Sequence, residues 1–145
     1  MDDGHAHICS VAIDRPAAAA MAFLADPKKL ASWAVGMGET TVHAGGMIEG
    51  AFPETKQPIW ARIDADPGCG TIHYHLGPDP DSLVPRIMVR VIPGNFLDED
   101  PASCVVSMIA WRQKTMEDPR WERLKAGHES EIHEIRRLIE SAVRP

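Results

Sequence analysis

Histidine carries most of the chemistry that this 145-residue sequence can offer. Trp121, Leu124, His128, Ile132, Ile135, Ile139 and Ala142 recur at spacings of three and four, so a helix would set the His128 imidazole in an apolar stripe. Two readings of that imidazole stand open. It is a core histidine satisfied by a strand carbonyl or side chain, or it is a polar handle and acid/base group at the bottom of an apolar pocket. Two more pairs, His5-x-His7 and His73-x-His75, stand at i, i+2, and Cys9 continues the line of the first. On a strand such residues share one face, as two metal ligands would. Surface histidines share that spacing, and a catalytic zinc wants three ligands converging from more than one element, so no metal site is assigned. Tyr74 alternates with the second histidine pair. With Ile72, Tyr74 and Leu76 turned inward, the favoured face because polar rows normally meet water, its hydroxyl enters the pocket; with the other face inward the pocket holds the His73 and His75 imidazoles instead.

Other chemistries lack their signatures. The chain has no Gly-x-Ser-x-Gly elbow, no P-loop and no HExxH, and Gly36-x-Gly38 follows a helix without the third glycine of a dinucleotide fingerprint. No cofactor is therefore expected. The acidic residues gather in turns and on the solvent face of the last helix, which assigns no paired-carboxylate site.

The elements that must position these side chains are legible in outline. His5 to Ile13 reads as a strand ended by Asp14-Arg15-Pro16, with Asp14 available as a cap and Pro16 as the first helical residue. The alanine-rich run from Ala17 to Leu24 has high helix propensity, and Asp26-Pro27 restarts a second short helix through Leu30 to Trp33. Short strands follow, at Thr40–Ala44, Met47–Phe52, Ile59–Asp64, Thr71–Leu76, Arg86–Ile92 and Ser103–Arg112, divided by Gly, Pro and Asp clusters. Such spacing implies an antiparallel meander. Ile87, Val89 and Val91 are expected in the core, with Arg86, Met88 and Arg90 on the other face. The strand at Ser103–Arg112 is apolar on both sides, so its orientation stays open and a homodimer contact is one use for the second face. A long helix runs from about Asp118-Pro119 to Ala142, with Gly127 unexpectedly inside it. The loop residues Phe96 and Leu97 are a pocket lid, a partner contact, or a fold-back onto the core.

Composition bounds the rest. Apolar residues make up 44% of the chain and charged residues 25%, an ordinary globular balance that excludes disorder and collagen-like repeats. A chain of this length buries roughly 68–70% of its unfolded surface as one domain, residues 1–145. The net charge of −6 argues against nucleic acid and anionic membrane surfaces as partners. Three cysteines without a CxxC pair point to a reducing, cytoplasmic setting. The acidic start, Met1-Asp2-Asp3-Gly4, is no signal peptide, and Ala17–Ala25 is too short for a membrane span. The aromatics are skewed, with four Trp against one Tyr. Three or more of the tryptophans are expected around the ends of one cavity.

A strand, two helices, six strands and a long helix make an α+β chain in which one long helix covers a curved seven-stranded sheet. The runs Val11-Ala12-Ile13-Asp14-Arg15-Pro16-Ala17-Ala18-Ala19, Phe23-Leu24-Ala25-Asp26-Pro27 and Leu30-Ala31-Ser32-Trp33, with the closing helix Trp121 to Ile139, carry a family likeness. They resemble the helix-grip fold of the START-like, or SRPBCC, superfamily, most of all its polyketide cyclase/dehydrase and lipid-transport members. The resemblance implies an elongated apolar pocket between the sheet and the last helix. Trp33, Tyr74, Met108, Trp111, His128 and Ile132 are the candidate lining, and Gly127 would let a ligand or strand come close. The leading reading is binding of a small or medium apolar ligand, lipid- or polyketide-like. A cyclase/dehydratase-type enzyme with His128 as its catalytic group is the second. A protein-interaction domain similar to the Hsp90-activator relatives is the third. Because this superfamily hosts many activities, the fold alone does not choose among them.

Overall fold

Period-two burial starts the fold: along β1 (Ala6–Ile13), Cys9, Val11 and Ile13 are buried while Ile8, Ser10 and Ala12 face solvent. This computed structural model describes residues 4–142; Met1-Asp2-Asp3, the acidic start, and residues 143–145 lie outside the described residues. Pro16 caps α1 (Ala17–Ala25) with extended backbone and no side-chain bond. Asp14 therefore does not serve as the expected cap. Its N–H instead donates to Glu140 Oε2 at 2.7 Å, tying the end of β1 to the far end of the chain. Asp26 does cap: its Oδ1 accepts the Lys28 N–H at 2.9 Å, and Pro27 opens a 3₁₀ turn that runs into α2 (Leu30–Trp33).

The remaining strands are β2 (Thr41–Val42), β3 (Ile48–Ala51), β4 (Pro58–Asp66), β5 (Thr71–Gly77), β6 (Val84–Pro93) and β7 (Cys104–Trp111). They form one seven-stranded antiparallel sheet in the order β1-β7-β6-β5-β4-β3-β2, a meander closed by β1 onto β7. The closing helix, α3 (Asp118–Ser141), packs along β1 and touches α1, α2 and the turn after α2. This is the expected α+β helix-grip architecture. No helix among the described residues is long and apolar enough to cross a membrane.

Strand faces decide which side chains meet α3. Tyr74 is buried on β5, and Val89 and Val91 on β6, as the alternation implies. The open question at β7 resolves to Cys104, Val106, Met108 and Ala110 inward. Trp111, one step further, points the other way and is 40% exposed, so it does not line the helix–sheet interior. Arg86 departs from its expected row. Tyr74 pairs with Ile87 and His75 with Pro85, which leaves Arg86 as an extra residue in a β-bulge. The bulge takes it out of the regular alternation of Met88 and Arg90, and the charge of Arg120 on α3 acts on it.

Two ends of the sheet differ in content. One collects the β3–β4 hairpin, the β5–β6 turn, the β7–α3 connection and the first turn of α3. The other collects α1, the β4–β5 turn and the β6–β7 connection.

Candidate functional site

Arg112 sets where α3 begins. Its guanidinium donates to the Met116 carbonyl at 3.2 and 2.9 Å and to Asp118 Oδ1 at 2.6 Å, and Pro119 then opens the helix. From there the helix buries Trp121, His128, Glu131, Ile132, Ile135 and Ile139. β1 fixes its rotation from the side. His7 Nε2 bonds Glu129 Oε1 at 3.0 Å, the Cys9 thiol donates to the His128 carbonyl at 3.7 Å, and the Arg15 guanidinium donates to the Glu140 carbonyl.

His128 is 5% exposed, and its Nδ1 is buried without a hydrogen-bond partner. Burial pushes its pKa down to about 4, and the His7 ring, 6.3 Å away, adds to the fall. Glu131 lies one turn on and is 9% exposed. Burial pushes its carboxyl up to about 8, while a hydrogen bond from the Val35 N–H pulls the other way. Near neutral pH the helix thus presents an uncharged imidazole and a protonated carboxyl, whose Cβ atoms at i, i+3 stand about 5–6 Å apart. The pair combines a proton acceptor with a proton donor. Beside it, burial followed by the charges of Glu129 and Glu131 pushes the Cys9 thiol up to about 11, so it stays un-ionised.

Most of the expected lining does come together. Trp33 meets Tyr74 edge-on at 5.6 Å between ring centroids, and Tyr74, Met108 and Ile132 are fully buried in the same cluster. Tyr74 is not a free handle, because its hydroxyl donates to the Leu24 carbonyl at 2.7 Å and pins the end of α1. Trp111 is the residue left outside. The tryptophans divide between inside and outside rather than gathering at one cavity: Trp33 and Trp121 are buried, while Trp60 stacks on His43 at 5.3 Å and Trp111 is exposed. Gly127 makes no close approach to strand or loop, since a Cβ there would meet open space.

The open grooves lie away from the His128–Glu131 pair. One, of about 540 Å³, runs between α1 and the β4–β5 turn, bounded by Met21, Ala22, Cys69, Arg90 and Phe96. Phe96 is 68% exposed on its rim, not folded onto the core. The other, of about 680 Å³, lies by Ile13, Leu97, Ser103, Arg136 and Glu140.

The histidine pairs have separate uses. His7 reaches inward to α3, whereas His75 pairs with Asp64 Oδ2 at 2.7 Å across β4 and β5. Among the described residues no three His, Cys, Asp or Glu converge as metal ligands. Sequence reasoning passes over Glu131, because a glutamate on a charged helix reads as solvated. The signal was present nonetheless: it stands three after His128 and four before Ile135, inside the buried arc.

No protein-family model matches this chain, and no curated protein does. Solved structures do match. The ZhuI aromatase/cyclase from Streptomyces sp. R1128 is 14% identical with a TM-score of 0.68, over 96% of this chain and 95% of that one. The di-domain ARO/CYC BexL from the BE-7585A biosynthetic pathway is 16% identical with a TM-score of 0.67; the match covers 97% of this chain but 48% of BexL. XoxI from Bacillus cereus is 10% identical with a TM-score of 0.68, over 94% and 96% of the two chains. The chain has the fold of the polyketide aromatase/cyclases, and at these identities the likeness is one of fold.

Proposed function

We propose that this chain binds a small or medium apolar molecule, lipid- or polyketide-like, between the sheet and α3, and that His128 and Glu131 orient it. The observation that supports this reading most is the unpaired, buried Nδ1 of His128 on the helix face that it shares with Glu131 and the apolar residues Trp121, Ile132, Ile135 and Ile139. Leaving such an atom unsatisfied costs about 1–3 kcal/mol, which a ligand hydroxyl or carbonyl would offset. A protonated Glu131 beside it adds a donor, so a ligand oxygen can be held from two sides. Trp33, Met108 and Ile132 supply apolar contact at roughly 25 cal/mol per Å² buried. Met37 and Met108, both buried here, are unbranched side chains that re-pack readily as a ligand enters.

The second reading is a cyclase/dehydratase-type reaction at the same pair, favoured by the shared fold with aromatase/cyclases. Neutral His128 would take a proton from carbon beside a carbonyl while Glu131 protonates the departing hydroxyl, which leaves as water. A proton passed from imidazolium to carboxylate then restores both groups.

Native mass spectrometry of freshly purified protein tests the binding reading. The expected result is a bound apolar mass that is lost on mild activation. A bare chain that also shows no thermal shift with fatty alcohols, fatty acids or polycyclic phenols would contradict it. For the catalytic reading, His128→Ala should abolish turnover while binding persists, and an unchanged rate would remove His128 from the chemistry.

A further inference from the structure

The end of the sheet where α3 begins holds two guanidinium groups with no anion among the described residues. Arg86, half-buried, is the bulged residue of β6. Its Nε is fully buried and has no hydrogen-bond partner, and among the described residues no carboxylate forms an ion pair with it. The charge that acts on it is another cation: burial and then Arg120 both disfavour its charged form. Arg120, on the first turn of α3, is likewise without a carboxylate among those residues and stands 6.0 Å from the centre of the Phe52 ring, just past the end of β3. Compare Arg112, six residues before Asp118, which has its carboxylate and its carbonyl.

A partly desolvated arginine facing a like charge is costly, and a fold usually supplies a counter-charge. Arginine also offers a planar fork of donors suited to a carboxylate or phosphate. The bulge takes Arg86 out of the regular row of Met88 and Arg90, and the Arg120 charge on α3 acts on it there.

We propose that Arg86 and Arg120, walled by Phe52, form an oxyanion site at this end of the helix–sheet interface, and that the ligand is an apolar molecule with a carboxylate or phosphate head. This rests on the proposed binding of an apolar molecule along α3. From Arg120 to His128 the helix rises about 12 Å. An amphiphile can therefore place its charged head at the arginines while its apolar body runs toward His128.

Isothermal titration with decanoate, decyl phosphate and decanol tests this on the full chain, with NMR of the Arg86 Nε–Hε resonance as a second readout. The expected result is at least one anionic amphiphile bound tenfold or more tighter than decanol, with the gap collapsing in Arg86→Gln and Arg120→Gln while decanol affinity holds. Which head group wins identifies its chemistry. Equal affinity for all three, or a gap that survives Arg86→Gln, overturns the oxyanion site and leaves the apolar site standing. If none of the three binds, the apolar reading fails, and acetate and inorganic phosphate decide the arginine site separately. A saturable shift of the Arg86 Nε–Hε resonance with either supports the site; no shift with both removes it.

Discussion

Glu131→Gln turns the buried carboxyl into a measurable pH dependence. In the unfolded chain this carboxyl titrates at its ordinary 4.5, whereas in the folded protein burial holds its proton until about 8. Between those values the folded state carries the extra proton, so raising the pH destabilises it by about 1.36 kcal/mol per unit. His128 acts with the opposite sign. The unfolded imidazole takes a proton below 6.5, and the folded one resists until about 4, so falling pH destabilises the fold across that window. From 4.5 to 6.5 the two slopes oppose one another and stability is nearly flat. From 6.5 to 8 only the Glu131 slope remains, a loss on the order of 2 kcal/mol. The substituted amide can still accept the Val35 N–H and has no charge to desolvate. Urea denaturation followed by tryptophan fluorescence at about pH 6.5 and about pH 8 should show the wild type losing that amount and the variant staying level. In melting temperature the gap should open by about 4–8 °C for a chain of this size. Parallel loss in both proteins would mean that water reaches the carboxyl and that it titrates normally.

Three further outcomes are expected. Gly127→Ala should stabilise the protein by about 0.8–1.0 kcal/mol, because the added methyl meets open space on a helix interior; destabilisation in a thermal melt would show a packing demand there. Tyr74→Phe should cost about 1 kcal/mol by leaving the Leu24 carbonyl without its donor, and an unchanged denaturation midpoint would show that carbonyl already satisfied. His128→Phe should leave the Glu131 slope unopposed below pH 6.5, so the variant should gain about 2.7 kcal/mol as the pH falls from 6.5 to 4.5 while the wild type stays nearly flat; a variant as flat as the wild type would place the His128 proton elsewhere.

Much of the fold was legible because its signals are periodic and local. β1 alternates cleanly, Asp26-Pro27 carries its own cap, and the apolar stripe of α3 runs from Trp121 to Ile139. The faces of β5 also followed from the rule that apolar rows turn inward, which placed Tyr74. What failed to show depends on register and packing. A bulge exists only relative to the neighbouring strand, so nothing in the run Val84 to Ile92 alone says that Arg86 is the extra residue. β7 is apolar on both faces, and only its pairing with β1 and β6 settles that Met108 turns in and Trp111 out. The expected gathering of tryptophans around one cavity fails at Trp60, which finds its partner on the outer side in His43. Glu131 was hidden by its charge. A carboxylate on a helix with Glu129 and Glu134 nearby reads as solvated, and only the three-dimensional closure of β1 and the turn after α2 over it makes it a buried acid.

The most direct measurement is methyl NMR of protein labelled at Met and Ile, with the His128 ring followed in parallel, during titration with decanol. Binding between the sheet and α3 should give saturable shifts at Met108, Ile132 and the His128 imidazole, with Met21 in the α1 groove unmoved. Shifts confined to Met21 and its neighbours, or no saturable shift at any of these positions, would contradict it.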